Sequence, residues 1–165
     1  MRRARRGAVL DGGRLERRGI GPAAEEPIGL LIASARSRMK QAVLARASGH
    51  RLAVQQFWSL IALLERPGLS QVELAEAVRS DAPTTSRVIA SLMRRRLVRK
   101  EPDVNDGRLS RLSLTLGGRR LADELFGTAN AIRAALSEGM SEAEQEALRD
   151  GLRLVIANLD RLASR

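Results

Sequence analysis

Cysteine is absent from the 165-residue chain. That excludes disulfides, thiolate metal sites, cysteine nucleophiles and thiol redox sensing together. There is one histidine, His50, and no tyrosine. A His-rich metal centre and a multi-histidine acid–base system are therefore excluded, and neither a metal nor a cofactor is expected. No apolar run reaches the roughly 18 residues that a membrane span needs, so no segment is expected to span a membrane; a cytoplasmic protein without a membrane partner is the expectation. No nucleophile elbow, phosphate loop or paired-carboxylate constellation occurs, which makes an enzyme the least supported class.

What is present is positive charge. Lys and Arg number 29 against 19 Asp and Glu, a net charge of +10, and 44% of residues are hydrophobic, enough for a real core. The charge is unevenly placed. Residues 87–120 hold ten basic and three acidic residues, net +7, whereas residues 121–165 are net −3. A concentrated block is a footprint for a polyanion, nucleic acid first and an anionic membrane surface second.

Residues 1–26 are rich in Gly and Arg without apolar periodicity. They read as a flexible basic tail, or as an arm that adds nonspecific phosphate contacts. From Pro27 the pattern is helical: Ile28, Leu31, Ile32, Ala35, Met39, Ala42 and Val43 recur at three- and four-residue steps until Ser48-Gly49. A second helix spans Leu52 to Glu65, with Phe57 and Trp58 as core anchors.

Ser70-Gln71-Val72-Glu73 is a capping box that opens a short helix to Val78. Asp81-Ala82-Pro83 is a second start signal, followed by a helix to about Arg96. Two short helices joined by a tight turn form a helix-turn-helix. The period then switches to two. Leu97–Glu101 predicts a strand; Leu112, Leu114 and Leu116 alternate with Arg111, Ser113 and Thr115 to predict its partner. The loop between them carries Asp106-Gly107-Arg108. A hairpin directly after a helix-turn-helix is a winged helix.

Gly117-Gly118 should break the second strand. A long helix follows with Leu121, Leu125, Ala129, Ile132 and Leu136 on one face, and Ser141-Glu142-Ala143-Glu144 caps a last helix bearing Leu148, Leu152, Val155, Ile156, Leu159 and Leu162. The expected fold is mainly α with a small β-wing. Residues 52–116 form the winged helix-turn-helix DNA-binding domain, and 27–51 with 117–165 form a helical dimerisation region. The apolar stripes of the flanking helices need a partner; a second copy is favoured over packing back on the wing domain.

Residues 69–118, from Leu69-Ser70-Gln71 through Asp106-Gly107-Arg108 to Thr115-Leu116-Gly117-Gly118, resemble the winged-helix regulators of the MarR (multiple antibiotic resistance regulator) family. The order of elements over 27–163 is similar as well. The resemblance implies a homodimer with interlocked terminal helices and bacterial or archaeal transcription control, usually repression relieved by a small molecule. The family wing often reads Asp-Arg-Arg; here Gly107 replaces one basic tip residue.

On this reading the second helix of the motif enters the major groove of a pseudo-palindromic duplex. Pro83, Thr84, Thr85, Ser86, Arg87 and Ser91 are the expected groove-facing residues. Arg87 matches a family arginine and is the candidate base reader. Thr84, Thr85 and Ser86 can read bases or hold phosphates. Arg108 resembles the family's minor-groove arginine, with Asp106 either orienting it or stabilising the hairpin. Ser70 and Gln71 can offer groups to phosphate. Arg94, Arg95, Arg96, Arg99, Lys100 and Arg111 are candidate phosphate neutralisers.

In the family, effectors often sit between the dimer helices and the wing domain. The matching residues are Arg36, Met39, His50, Arg51, Phe57 and Trp58, and an aromatic pair beside an arginine suits an aromatic carboxylate. Two function classes remain beside the enzyme: a ligand-responsive repressor, and an architectural or protein-interaction module without ligand response.

Overall fold

The computed structural model describes residues 27–104, 106 and 109–164. The basic tail 1–26 and the wing-tip residue Arg108 lie outside the described residues. By its packing the chain separates into two units, 1–41 and 42–165, with the boundary inside the first helix.

That helix, α1, spans Ile28–Ala47. In the first unit its start is closed by the Pro27 carbonyl, which accepts from the amides of Leu30 and Leu31. Ile28, Leu30 and Leu31 are exposed.

The second unit is built around α2, Val54–Glu65, which buries Phe57, Ser59, Leu60, Ile61 and Leu63. Against it lie α3 (Gln71–Ala77), α4 (Ala82–Arg94), strand β2 (Ser110–Leu114) and α5 (Leu116–Ser137). Strand β1, Val98–Pro102, pairs antiparallel with β2, placing Val98 opposite Leu114 and Lys100 opposite Leu112. Leu112 is bonded on its other edge to Leu69, donating to the Leu69 carbonyl at 2.8 Å. The wing is thus sewn to the turn before α3. The last helix, α6, spans Glu142–Ala163 and buries none of its residues.

Local chemistry explains the joints. The Ser70 hydroxyl accepts from the Glu73 amide, and the Glu73 carboxylate accepts from the Ser70 amide at 2.7 Å, completing the expected capping box. The Asp81 carboxylate accepts from the Thr84 amide at 2.7 Å, with Pro83 in the first turn of α4. Arg79 and Arg96 adopt φ of 50° and 56°, so α3 and α4 each end in a left-handed residue. The Ser80 amide then returns to the Ala75 carbonyl, and the Leu97 amide to the Leu92 carbonyl.

Two expectations change at the end of the wing. Leu116 is 70% exposed and helical, although the alternating pattern placed it in the strand. The Gly117-Gly118 pair does not precede the helix but lies in its first turn. The cause is Thr115. Its hydroxyl donates to the Arg96 carbonyl at 2.7 Å and accepts from the Gly118 amide at 3.0 Å, so it caps α5. The core also extends beyond 52–116, because Ala122, Leu125, Ala129 and Ile132 of α5 are buried.

Gly118 marks a close approach. A Cβ there would sit 1.8 Å from the Leu97 carbonyl oxygen, a backbone atom that cannot swing aside. Gly118→Ala is therefore expected to destabilise the protein by about 2–4 kcal/mol in urea denaturation. Gly117→Ala, whose nearest neighbour would be 3.9 Å away, should be neutral or slightly stabilising. Equal effects of the two changes would contradict this packing.

Candidate nucleic-acid interface

The N-terminal turn of α4 projects a compact polar face. Pro83, Ser86 and Arg87 are exposed and Thr84 is half-buried. The Arg87 guanidinium lies back along its own helix, its Nε donating to the Pro83 carbonyl at 3.4 Å and its Nη2 to the Thr84 hydroxyl at 3.2 Å. These are weak, exposed contacts within one helical turn. They leave the side chain able to extend toward a base edge at small cost.

Two residues assigned to this face belong elsewhere. Thr85 is 1% exposed, packed into the interior with Ile89 and Leu92, and its hydroxyl oxygen has no hydrogen-bond partner. A DNA contact through its side chain is ruled out by that burial. Ser91 is half-buried and faces α2, where its hydroxyl accepts from the Gln56 amide nitrogen at 2.8 Å. Arg94 is exposed at the end of α4.

Arg111 is likewise occupied. Its Nε donates to Asp103 at 2.5 Å and its Nη1 to Glu73 at 2.9 Å. The two carboxylates, through hydrogen bonds and charge, push the guanidinium pKa above its ordinary value. Asp103 retains only 10% side-chain exposure, so the arginine spans the wing loop, β2 and α3 as a clasp. A charge already matched by two carboxylates is poorly suited to neutralise a phosphate. Asp106, exposed near the wing tip, donates its amide to Asp103. On β1, Arg99 pairs with Glu101 at 3.3 Å and Lys100 is exposed. Ser70 and the half-buried Gln71 start α3, with the Ser70 hydroxyl already engaged in the cap.

The residues considered for an effector separate. Arg36 and Met39 belong to the first unit. Phe57 is 0% exposed, a core side chain that cannot present a face to an incoming ligand without opening the core. Trp58 is half-buried, in edge contact with Phe57 at 4.9 Å, with the Arg133 guanidinium 5.8 Å from its ring centroid. Arg133 is held by both oxygens of Glu65, which lowers the Glu65 pKa. His50 and Arg51 lie between α1 and α2, and their carbonyls accept from Arg95 at 2.9 and 3.2 Å. Among the described residues no group of three or more His, Cys, Asp or Glu is placed to hold a metal. No described helix is long and apolar enough to cross a membrane.

Residues 52–109, from just before α2 to the wing loop, match the MarR family. The transcriptional repressor NicR of Pseudomonas putida is 30% identical over 131 residues, covering 79% of this chain and 83% of NicR. The chain belongs to the MarR family. It is thus a MarR-family DNA-binding transcriptional regulator, and the relatives are regulators rather than enzymes. Bordetella bronchiseptica BpsR, solved in work on regulation of its DNA binding by 6-hydroxynicotinic acid, has 28% identity and a TM-score of 0.67, covering 83% of this chain and 97% of BpsR. The Staphylococcus aureus MepR–DNA complex shares the MarR fold, with a TM-score of 0.68 at 23% identity, over 79% of this chain and 97% of MepR.

Both helices of the MarR motif start on a carboxylate that holds a backbone amide. Hydrogen bonds from Ser70 hold the Glu73 carboxyl below its ordinary pKa, and the Thr84 amide does the same for Asp81. Depressed carboxylates stabilise the fold above their unfolded-state values, and that contribution is lost as pH falls through the folded values. The thermal midpoint should therefore fall between about pH 6 and about pH 3. A Glu73→Gln, Asp81→Asn variant keeps hydrogen-bonding caps that do not titrate, so its midpoint should fall less steeply. Parallel curves for variant and wild type would contradict this role for the caps.

Proposed function

We propose that the protein is a homodimeric, sequence-specific repressor that reads a pseudo-palindromic operator and is released by a small aromatic acid. The observation that carries it is the N-terminal face of α4: Pro83, Thr84, Ser86 and Arg87 grouped at the start of a rigidly capped helix. Arginine at such a position can donate two bonds to O6 and N7 of guanine. Arg94, at the end of α4, and Lys100, on β1, are exposed and suit phosphates. Arg108 of the wing is proposed as a minor-groove contact, beside Asp106. A regulator bound to chromosomal DNA works in the bacterial cytoplasm.

The homodimer is supported by the exposed apolar side chains of α6. Leu148, Leu152, Ile156, Leu159 and Leu162 are each at least 40% exposed, at helical spacing. The opposite face is laced with ion pairs of Glu146 and Asp150 with Arg149 and Arg153. A helix of this kind is stable only when its apolar stripe is covered. Covering it with a second copy would pair two recognition helices, which palindromic readers need about one turn of DNA apart.

The repressor role is supported by the likeness to NicR, and the aromatic-acid class by the likeness to BpsR. The half-buried Trp58 offers an apolar ring for such an acid, while the Arg133 guanidinium near that ring is already paired with Glu65. His50 and Arg51 are the other candidates within the second unit.

The test uses a duplex selected from a randomised library on the wild-type protein. Arg87→Ala should weaken binding to it by about 1–3 kcal/mol and relax base preference, while a scrambled duplex is bound nearly as before. Equal losses on both duplexes would overturn Arg87 as a base reader.

A further inference from the structure

The recognition helix is anchored to its unit by a narrow apolar stripe, Thr85, Ile89 and Leu92. Apolar contact fixes how deep a helix sits, but it is not directional and resists rolling and tilting poorly. Directional bonds from other elements reach its C-terminal half and the residues just after it.

Gln56 stands in the first turn of α2. Its carbonyl oxygen accepts from the Ala53 amide at 2.9 Å, which orients the side-chain amide. Its nitrogen then points at Ser91 and donates to the hydroxyl at 2.8 Å. One turn further on, Arg95 follows the last residue of α4. Its Nη2 donates to the His50 carbonyl at 2.9 Å and its Nη1 to the Arg51 carbonyl at 3.2 Å. Arg51 is itself held at φ 49°, so the connector turns its carbonyls toward Arg95 through a left-handed residue.

We propose that Gln56 and Arg95 are positioning residues that set the angle of the recognition helix, Gln56 through Ser91 and Arg95 through the carbonyls of residues 50 and 51. Arg95 is then removed from the phosphate-binding set. A 13-residue helix is about 20 Å long, so a tilt of about 5° at its C-terminal end moves its N-terminal face by about 1.7 Å. That displacement breaks a bidentate contact of Arg87 while leaving nonspecific phosphate contacts nearly intact. The proposal rests on the reading of α4 as the base-reading helix.

The test compares full-length wild type with Gln56→Met, Ser91→Ala, Arg95→Met and Arg87→Ala. Binding is measured to the duplex selected on wild type and to a scrambled one, over a range of salt. Arg95→Met should lower affinity for the selected duplex about tenfold, leave the scrambled duplex unchanged, and keep the salt slope of wild type. Gln56→Met and Ser91→Ala should each lower the selected-to-scrambled ratio, and the double change should cost no more than the larger single one. Circular dichroism and thermal melting confirm that each variant is folded at the assay temperature. Should Arg95→Met not fold, the Gln56–Ser91 cycle decides alone.

A salt slope reduced by about one per subunit, with equal weakening on both duplexes, would show that Arg95 is a phosphate contact and overturn its positioning role. An unchanged ratio in both Gln56→Met and Ser91→Ala would overturn that of Gln56. Loss of selectivity in Arg87→Ala alone means that only the positioning fails. Unchanged selectivity in Arg87→Ala means that the reading of α4 fails.

Discussion

The buried face of α2 is the constraint on which the rest of the second unit depends. Phe57, Leu60, Ile61 and Leu63 are each no more than 1% exposed, and α3, α4, α5 and β2 all pack against this helix. Close packing on one shared face ties these elements together and fixes their depth. The helix-turn-helix, the wing and the first half of α5 are therefore one body. The polar struts then fix orientation within it: Gln56 to Ser91, Arg111 to Asp103 and Glu73, Thr115 to the Arg96 carbonyl.

Basic residues here do two different jobs. Arg111 and Arg133 are matched by carboxylates, and Arg95 holds two carbonyls. On the proposed reading their charge contributes to the long-range potential and not directly to a phosphate contact. Arg87, Arg94 and Lys100 are exposed on α4 and β1. On that reading the net +7 of residues 87–120 is partly architectural, and the surface that meets DNA is smaller than the charge alone indicates.

The winged helix was legible because its local signals are strong. Ser70 with Glu73, and Asp81 with Pro83, mark helix starts by their own hydrogen-bonding chemistry, and both caps formed. Thr85 was misplaced because a threonine near a helix start reads as polar. Its spacing of four from Ile89 carried the signal that it belongs to the buried stripe. Leu116 misled because alternation continued past the point where Thr115 caps a helix. The partners of Arg111 and Arg95 lie up to 45 residues away in sequence, beyond any periodicity or capping rule. Gln56 was detectable, since Gln three residues after a helix boundary is a capping position, but its second bond to Ser91 was not.

These parts combine into one claim: a rigid body presents Arg87 and its neighbours to a major groove, and a two-fold axis doubles that presentation. Hydroxyl-radical footprinting of the wild-type protein on its selected duplex tests it most directly. The account predicts two equivalent protected patches centred about one helical turn apart, symmetric about the centre of an inverted repeat. A single patch, or protection spread evenly along the duplex, would contradict it.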